Sequence, residues 1–126
     1  MITVYQYSLW SFTVTGLGDI SDRSRLYFTA KRALGGADSD AIVQLEETDG
    51  LLYIGGAAPT LATLGTLTVD DETVGNITGT VDPSVTGLSP EIVFCDVKLV
   101  TAAGVALEPI TTDTFQIKSV VTKAVE

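Results

Sequence analysis

The segment Glu91–Val100, Glu-Ile-Val-Phe-Cys-Asp-Val-Lys-Leu-Val, constrains the fold more than any other stretch of the chain. Val93, Cys95, Val97 and Leu99 alternate with Ile92, Phe94, Asp96, Lys98 and Val100. Side chains along a strand point to opposite faces in turn, so the first set predicts a dry face against a core. The second set starts apolar and becomes polar, which predicts a face that is only partly covered. A parallel-sheet strand buried on both sides would be apolar throughout, so the pattern favours a central strand of a sandwich.

The rest of the chain reads as short strands between turn signals. Residues 2–7 and 9–15 are strand-like, with a break at Ser8 and with Trp10, Phe12 and Val14 on one face. The first of these pieces is predicted to be an N-terminal arm or edge strand. Gly16 and Gly18 end the second piece, and residues 19–24 form a polar turn. In Arg25–Lys31, Leu26, Phe28 and Ala30 alternate with Tyr27, Thr29 and Lys31. Residues 41–46 and Gly50–Ile54 are strands joined through Glu47-Thr48-Asp49-Gly50, and a short loop ending in Asp-Gly is a strong hairpin signal. Residues 55–64 are irregular and contain Pro59, with a helical turn predicted over 60–64. Strands follow at 65–69 and 74–81, and Gly79 is the expected place of a bulge. Asp82, Pro83 and Gly87 fit the cap, first turn and end of one short helix. After the opening segment, residues 105–108 pair back and 114–121 form the last strand. Eight or nine strands with turns every 8–12 residues, and at most one or two helical turns, predict an all-β antiparallel sandwich. The 126 residues suffice for one domain, 1–126, with 122–126 as a tail.

Composition removes whole classes of function. There is no histidine, so Ser-His-Asp and Cys-His catalysis and the common zinc sites are excluded. The one cysteine, Cys95, falls on the apolar face and is predicted to be a buried packing residue. Net charge is −9, and no Lys or Arg occurs between Arg32 and Lys98. An acidic surface repels phosphate backbones, so no nucleic-acid partner is expected. No apolar run approaches the roughly 18 residues of a membrane helix, and no membrane partner is expected. The N-terminus shows neither a basic stretch nor an apolar one, which predicts no secretory signal.

Few constellations carry chemistry. Asp70-Asp71-Glu72 is the densest carboxylate cluster and a weak calcium candidate, but its spacing matches no EF-hand loop. Asp38-Ser39-Asp40 is a second acidic group, expected to cap the strand that follows. Asp96 lies mid-strand, where a charge needs a partner or water. A cross-strand ion pair with a residue such as Lys31 or Arg25, or a hydrogen bond to a neighbouring loop, is the expected arrangement. Gly16-Leu17-Gly18 lacks the rest of a dinucleotide fingerprint. Trp10, Tyr5, Tyr7, Tyr27 and Tyr53 could form a sugar-stacking platform, although such residues more often build core or interface. Trp10 and Phe28 are expected in the core. No cofactor, metal or catalytic residue is assigned.

Several stretches resemble a known set of proteins. Residues 22–31, Asp-Arg-Ser-Arg-Leu-Tyr-Phe-Thr-Ala-Lys, resemble a strand found in phage and prophage virion proteins. Residues 38–44, Asp-Ser-Asp-Ala-Ile-Val-Gln, are similar to the D-x-D-A segment of the same set, and residues 48–56 to the hairpin that follows it. Residues 94–100 resemble its later central strand, with Phe94 and Cys95 where tyrosines are usual, and residues 114–122 its closing strand. This set includes the N-terminal domain of phage baseplate upper proteins. The resemblance implies an immunoglobulin-like sandwich that joins virion parts, assembled in the host cytoplasm and located in the virion.

The resulting expectation is a non-enzymatic structural protein of a bacteriophage virion. It would be an adaptor between tail, baseplate or fibre proteins, and a homo-oligomer or multi-copy assembly. Capsid decoration and a carbohydrate-binding host-attachment module are the alternatives. The contact residues expected are Ile2, Val4, Tyr5 and Tyr7 at the N-terminus, Pro59 and Leu61 in the irregular loop, and Val125 in the tail.

Overall fold

A computed structural model describes residues 1–121. The tail 122–126, with Val125, lies outside the described residues. Among the described residues nine strands form: β1 (Ile2–Tyr5), β2 (Trp10–Val14), β3 (Arg25–Lys31), β4 (Val43–Glu46), β5 (Gly50–Ile54), β6 (Gly65–Asp71), β7 (Asn76–Val81), β8 (Glu91–Val100) and β9 (Thr111–Lys118). They make two sheets, one of six strands in the order β1-β9-β8-β3-β4-β5 and one of three in the order β2-β7-β6. The second, seventh and sixth strands face the third, fourth, fifth, eighth and ninth, which is the strand distribution of a variable-type immunoglobulin sandwich. One pair departs from the antiparallel expectation, since β1 runs parallel to β9, with Ile2 opposite Phe115 and Val4 opposite Ile117.

The alternation in β8 is realised as predicted, with Val93, Cys95, Val97 and Leu99 buried and Ile92, Phe94 and Lys98 exposed. The core is closed by four aromatic rings from both sheets. The ring centroid of Phe12 lies 4.7 Å from that of Phe28, and Phe115 lies 5.5 Å from Trp10, 5.7 Å from Phe12 and 5.9 Å from Phe28. The Trp10 indole Nε1–H is satisfied inside this core by donating to the Tyr5 carbonyl at 2.9 Å. Fully burying such side chains contributes on the order of 1.5–3 kcal/mol each.

Gly79 does not mark a bulge. It sits in regular register, opposite both Phe12 and Leu67. A Cβ there would lie 2.5 Å from Phe12 Cζ, so the glycine leaves room for the ring of the neighbouring strand. The irregularities fall between Gln44 and Leu45 and between Val69 and Asp71. The β4–β5 hairpin forms at Asp49-Gly50, with Gly50 at φ +81°. Beneath it Glu46 is fully buried, and its Oε2 accepts the backbone N–H groups of Thr48 and Asp49 at 2.5 Å each.

Other expectations need adjusting. Three short 3₁₀ turns occur, at Asp38–Asp40, Ala62–Leu64 and Pro83–Val85. Asp82 caps the last of them by accepting the Ser84 N–H at 2.9 Å. Strand β9 begins at Thr111 and not Thr114, because its pairing with β8 already starts at Thr111 opposite Val97. Residues 105–108 pair back through one bridge, Val100 to Ala106. Leu17, in the glycine break after β2, and Ile20, in the stretch read as a polar turn, are buried and close one end of the core.

Two substitutions check this core. Gly79→Ala should cost about 1–3 kcal/mol in urea unfolding through overpacking against Phe12. Phe28→Ala should cost about 3–5 kcal/mol. A neutral Gly79→Ala would contradict the close approach.

Candidate functional site

The outer face of the large sheet carries a groove whose floor follows from register. Thr112, Asp96, Thr29, Gln44 and Tyr53 lie side by side across β9, β8, β3, β4 and β5. On one side of this polar rung Phe94 stands between Thr114 and Lys31, and on the other Lys98 stands opposite Tyr27. The two aromatic rings are therefore placed diagonally about the Asp96–Thr29 pair. Leu34, from the β3–β4 connection, and Ala106 and Pro109, from the β8–β9 connection, add apolar walls. The groove measures about 830 Å³, within the range of small-molecule clefts.

Its polar groups differ in how far they are already satisfied. Gln44 Nε2 donates to Thr29 Oγ1 at 3.0 Å, and both residues are buried. Lys31 Nζ donates to Asp38 Oδ1 at 2.6 Å and to the Gly36 carbonyl at 2.8 Å. The Lys31 hydrogen bond holds the Asp38 carboxyl below its ordinary range. The Asp96 carboxylate makes no hydrogen bond or ion pair among the described residues. Burial raises its pKa, against the opposing pull of Lys31 and Lys98. Neither the ion pair nor the loop hydrogen bond expected for Asp96 is made among the described residues. Lys31 is held by Asp38, and Arg25 lies opposite Val100 and pairs with Asp49 at 2.9 Å.

The remaining candidates are dispersed. Cys95 is buried on the core side of β8, and burial pushes its thiol up to about 12, which keeps it protonated and inert. Trp10 and Phe28 are core residues, as expected. Asp70, Asp71 and Glu72 are not gathered for a metal. Asp70 accepts from Thr78 Oγ1 at 2.6 Å, Asp71 accepts from the Thr73 hydroxyl at 2.8 Å, and Glu72 pairs with Arg23 at 3.0 Å. Among the described residues no group of three possible ligands forms. Of the contact candidates, Val4 belongs to the core, and Ile2 packs against it. Tyr7, at φ 56°, places its ring against Gly87. Tyr5 and Leu61 are exposed, and Pro59 is half-buried. The five-residue aromatic platform does not assemble, because Trp10 is buried and Tyr7 lies on Gly87. Tyr27 instead shares the groove with Phe94, a residue the platform omitted.

The small sheet presents a different outer face. Its registers align Ser11, Thr80 and Thr66 in one row and Thr13, Thr78 and Thr68 in the next. The Thr66 and Thr80 hydroxyls are hydrogen-bonded at 2.5 Å. The charged residues of these strands are Asp70 and Asp71, at the far end of β6.

No protein-family model matches the chain, and no curated protein matches it. Among solved structures it is similar to AggA, the major subunit of aggregative adherence fimbriae type I from Escherichia coli. The two are 11% identical over 94% of this chain and 89% of that one, with a TM-score of 0.29, too slight a likeness to carry an argument.

The state of Asp96 has a measurable consequence. Its folded-state pKa is raised, so its charged form is disfavoured in the native protein. It therefore weakens stability above that pKa and costs nothing below the unfolded carboxylate value of about 3.9. Asp96→Asn should raise the thermal midpoint at pH 7, and the gain should shrink towards zero by about pH 3. Circular dichroism melts across this range check it. A gain that persists in acid would point to a packing effect instead.

Proposed function

We propose that the protein is a non-enzymatic structural component of a bacteriophage virion, an adaptor that joins tail, baseplate or fibre proteins and is itself present in several associated copies. The observation that carries this reading is the hydroxyl-rich face of the small sheet, where the one carboxylate, Asp70, sits at the end of β6 and accepts from Thr78, together with the open edge beside it. Two chains of net −9 repel one another, so contact between copies favours a surface without charge. The two rows of Ser and Thr side chains supply most of one, with Asp70 as the carboxylate at its margin.

The edge argument points to the same place. Strand β2 ends the small sheet and carries no charge, proline or bulge. The other edges are better defended. Strand β6 carries Asp70, Asp71 and a bulge, β5 is irregularly paired with β4, and β1 is only four residues long. An undefended edge is a template for another strand, and assembly is the ordinary way to cover it. The sequence resemblance to virion proteins supports the phage setting, and the sandwich fold fits a joining module.

Sedimentation velocity at micromolar concentration should show association between copies that Ser11→Lys with Thr13→Lys abolishes. Both residues are exposed, so the folded monomer should persist. A wild-type protein that stays monomeric and captures no neighbouring virion protein would remove the proposal.

A further inference from the structure

On the opposite sheet, we infer that the groove between Phe94 and Tyr27 binds a neutral oligosaccharide without cleaving it, with Asp96 accepting from its hydroxyls. The site is built from a polar floor and apolar flanks. The Asp96 carboxylate is a half-buried, solvent-reached acceptor with no hydrogen-bond or ion-pair partner among the described residues. A ligand hydroxyl would complete it. Thr29, Thr112 and Thr114 place further hydroxyls on or beside the same rung, able to donate and accept. Phe94 is 47% exposed although it lies in the middle of the longest strand, and Tyr27 stands diagonally from it. Aromatic rings flanking a polar rung suit a ligand that is apolar on its faces and polar at its edges, which describes a sugar ring.

Charge selects against other ligands. The groove is lined by Lys31 and Lys98 and by Asp38, Asp96 and Asp113, a balance of −1 on a chain of −9. Asp38 and Lys31 neutralise each other. An anion would meet Asp96, and a cation would meet Lys98 two residues along the same face. A neutral polyol meets neither penalty. Cleavage of a glycoside needs two carboxylates in acid and base or nucleophile roles. Here Asp38 is tied to Lys31 and Asp113 accepts from its neighbouring Thr114 N–H, which leaves Asp96 alone. The inference is independent of the assembly surface, which lies on the other sheet.

The test is a nuclear magnetic resonance titration of the full chain with maltotriose, cellotriose and triacetylchitotriose, each to about 10 mM, a range that detects millimolar affinity. At least one should shift the backbone amides of Thr29, Gln44, Asp96 and Lys98. Phe94→Ala and Asp96→Ala should each weaken that binding by about tenfold or more. Both side chains lie on the outer face, and an unchanged spectrum away from the groove confirms folding. Absence of shifts with all three sugars would overturn the inference. Groove shifts produced by a Lys-Arg-Lys peptide and by none of the sugars would also overturn it, in favour of a protein contact. Release of shorter sugars during the titration would overturn the binding-only role.

Discussion

Contact between aromatic rings from both sheets is the constraint on which the rest of the molecule depends. A variable-type sandwich commonly holds its two sheets together with a disulfide packed against a tryptophan. This chain has one cysteine and cannot do so. Trp10 and Phe12 from the small sheet meet Phe28 and Phe115 from the large one, and the edge and tilted geometries are those that aromatic quadrupoles favour. Phe12 can reach across only because Gly79, opposite it, has no side chain. Trp10 fixes the crossover as well as the core, since its N–H binds the last residue of β1, in the other sheet. The sharp passage between β1 and β2 is completed by Tyr7, whose amide donates to the Thr86 carbonyl.

Local signals told this fold and side-chain register told the site. The bounds of β3, β5 and β8 follow from alternation and turn residues, because each is a property of ten residues or fewer. The Asp82 cap and the Asp49-Gly50 turn are legible for the same reason. The groove is not. Phe94 and Tyr27 are 67 positions apart, and only the pairing of β3 with β8 sets them about one polar rung. The fate of Asp96 was hidden in the same way. It has two lysines within electrostatic reach, but Asp38 takes one of them from a loop whose path no periodicity encodes. Glu46 also escaped notice. It reads as the polar end of a strand, yet it is fully buried because the hairpin folds its own amides onto the carboxylate. The one signal available for the groove was an aromatic residue on the polar side of the central strand.

The basic residues show how a chain this acidic organises its surface. Arg23 bridges Glu47 and Glu72, Arg25 pairs with Asp49 and lies 3.5 Å from Glu46, Lys31 pairs with Asp38, and Arg32 pairs with Glu91. Exposed pairs of this kind contribute little to stability, about 0–1 kcal/mol each. Their larger effect is on where net charge remains. Arg23 is the exception in burial, since it reaches from a turn over the end of the core to tie the hairpin to the β6–β7 connection. Its carboxylate partners raise its pKa further above its already high ordinary value.

The consequence is a molecule with two outer faces of different chemistry. The small sheet exposes hydroxyls in regular rows, with its charges pushed to one end of β6. The large sheet exposes a charge-balanced rung between two aromatic rings and under two loops. A flat hydroxyl-rich face complements another flat face, and the entropy of ordering its short side chains is small. A walled groove with a carboxylate that has no protein partner complements a small polar ligand. The sandwich keeps these faces on opposite sides of one core, so occupation of one leaves the other accessible. If the small sheet is the assembly surface, as proposed, that separation leaves the groove on the large sheet open to solvent.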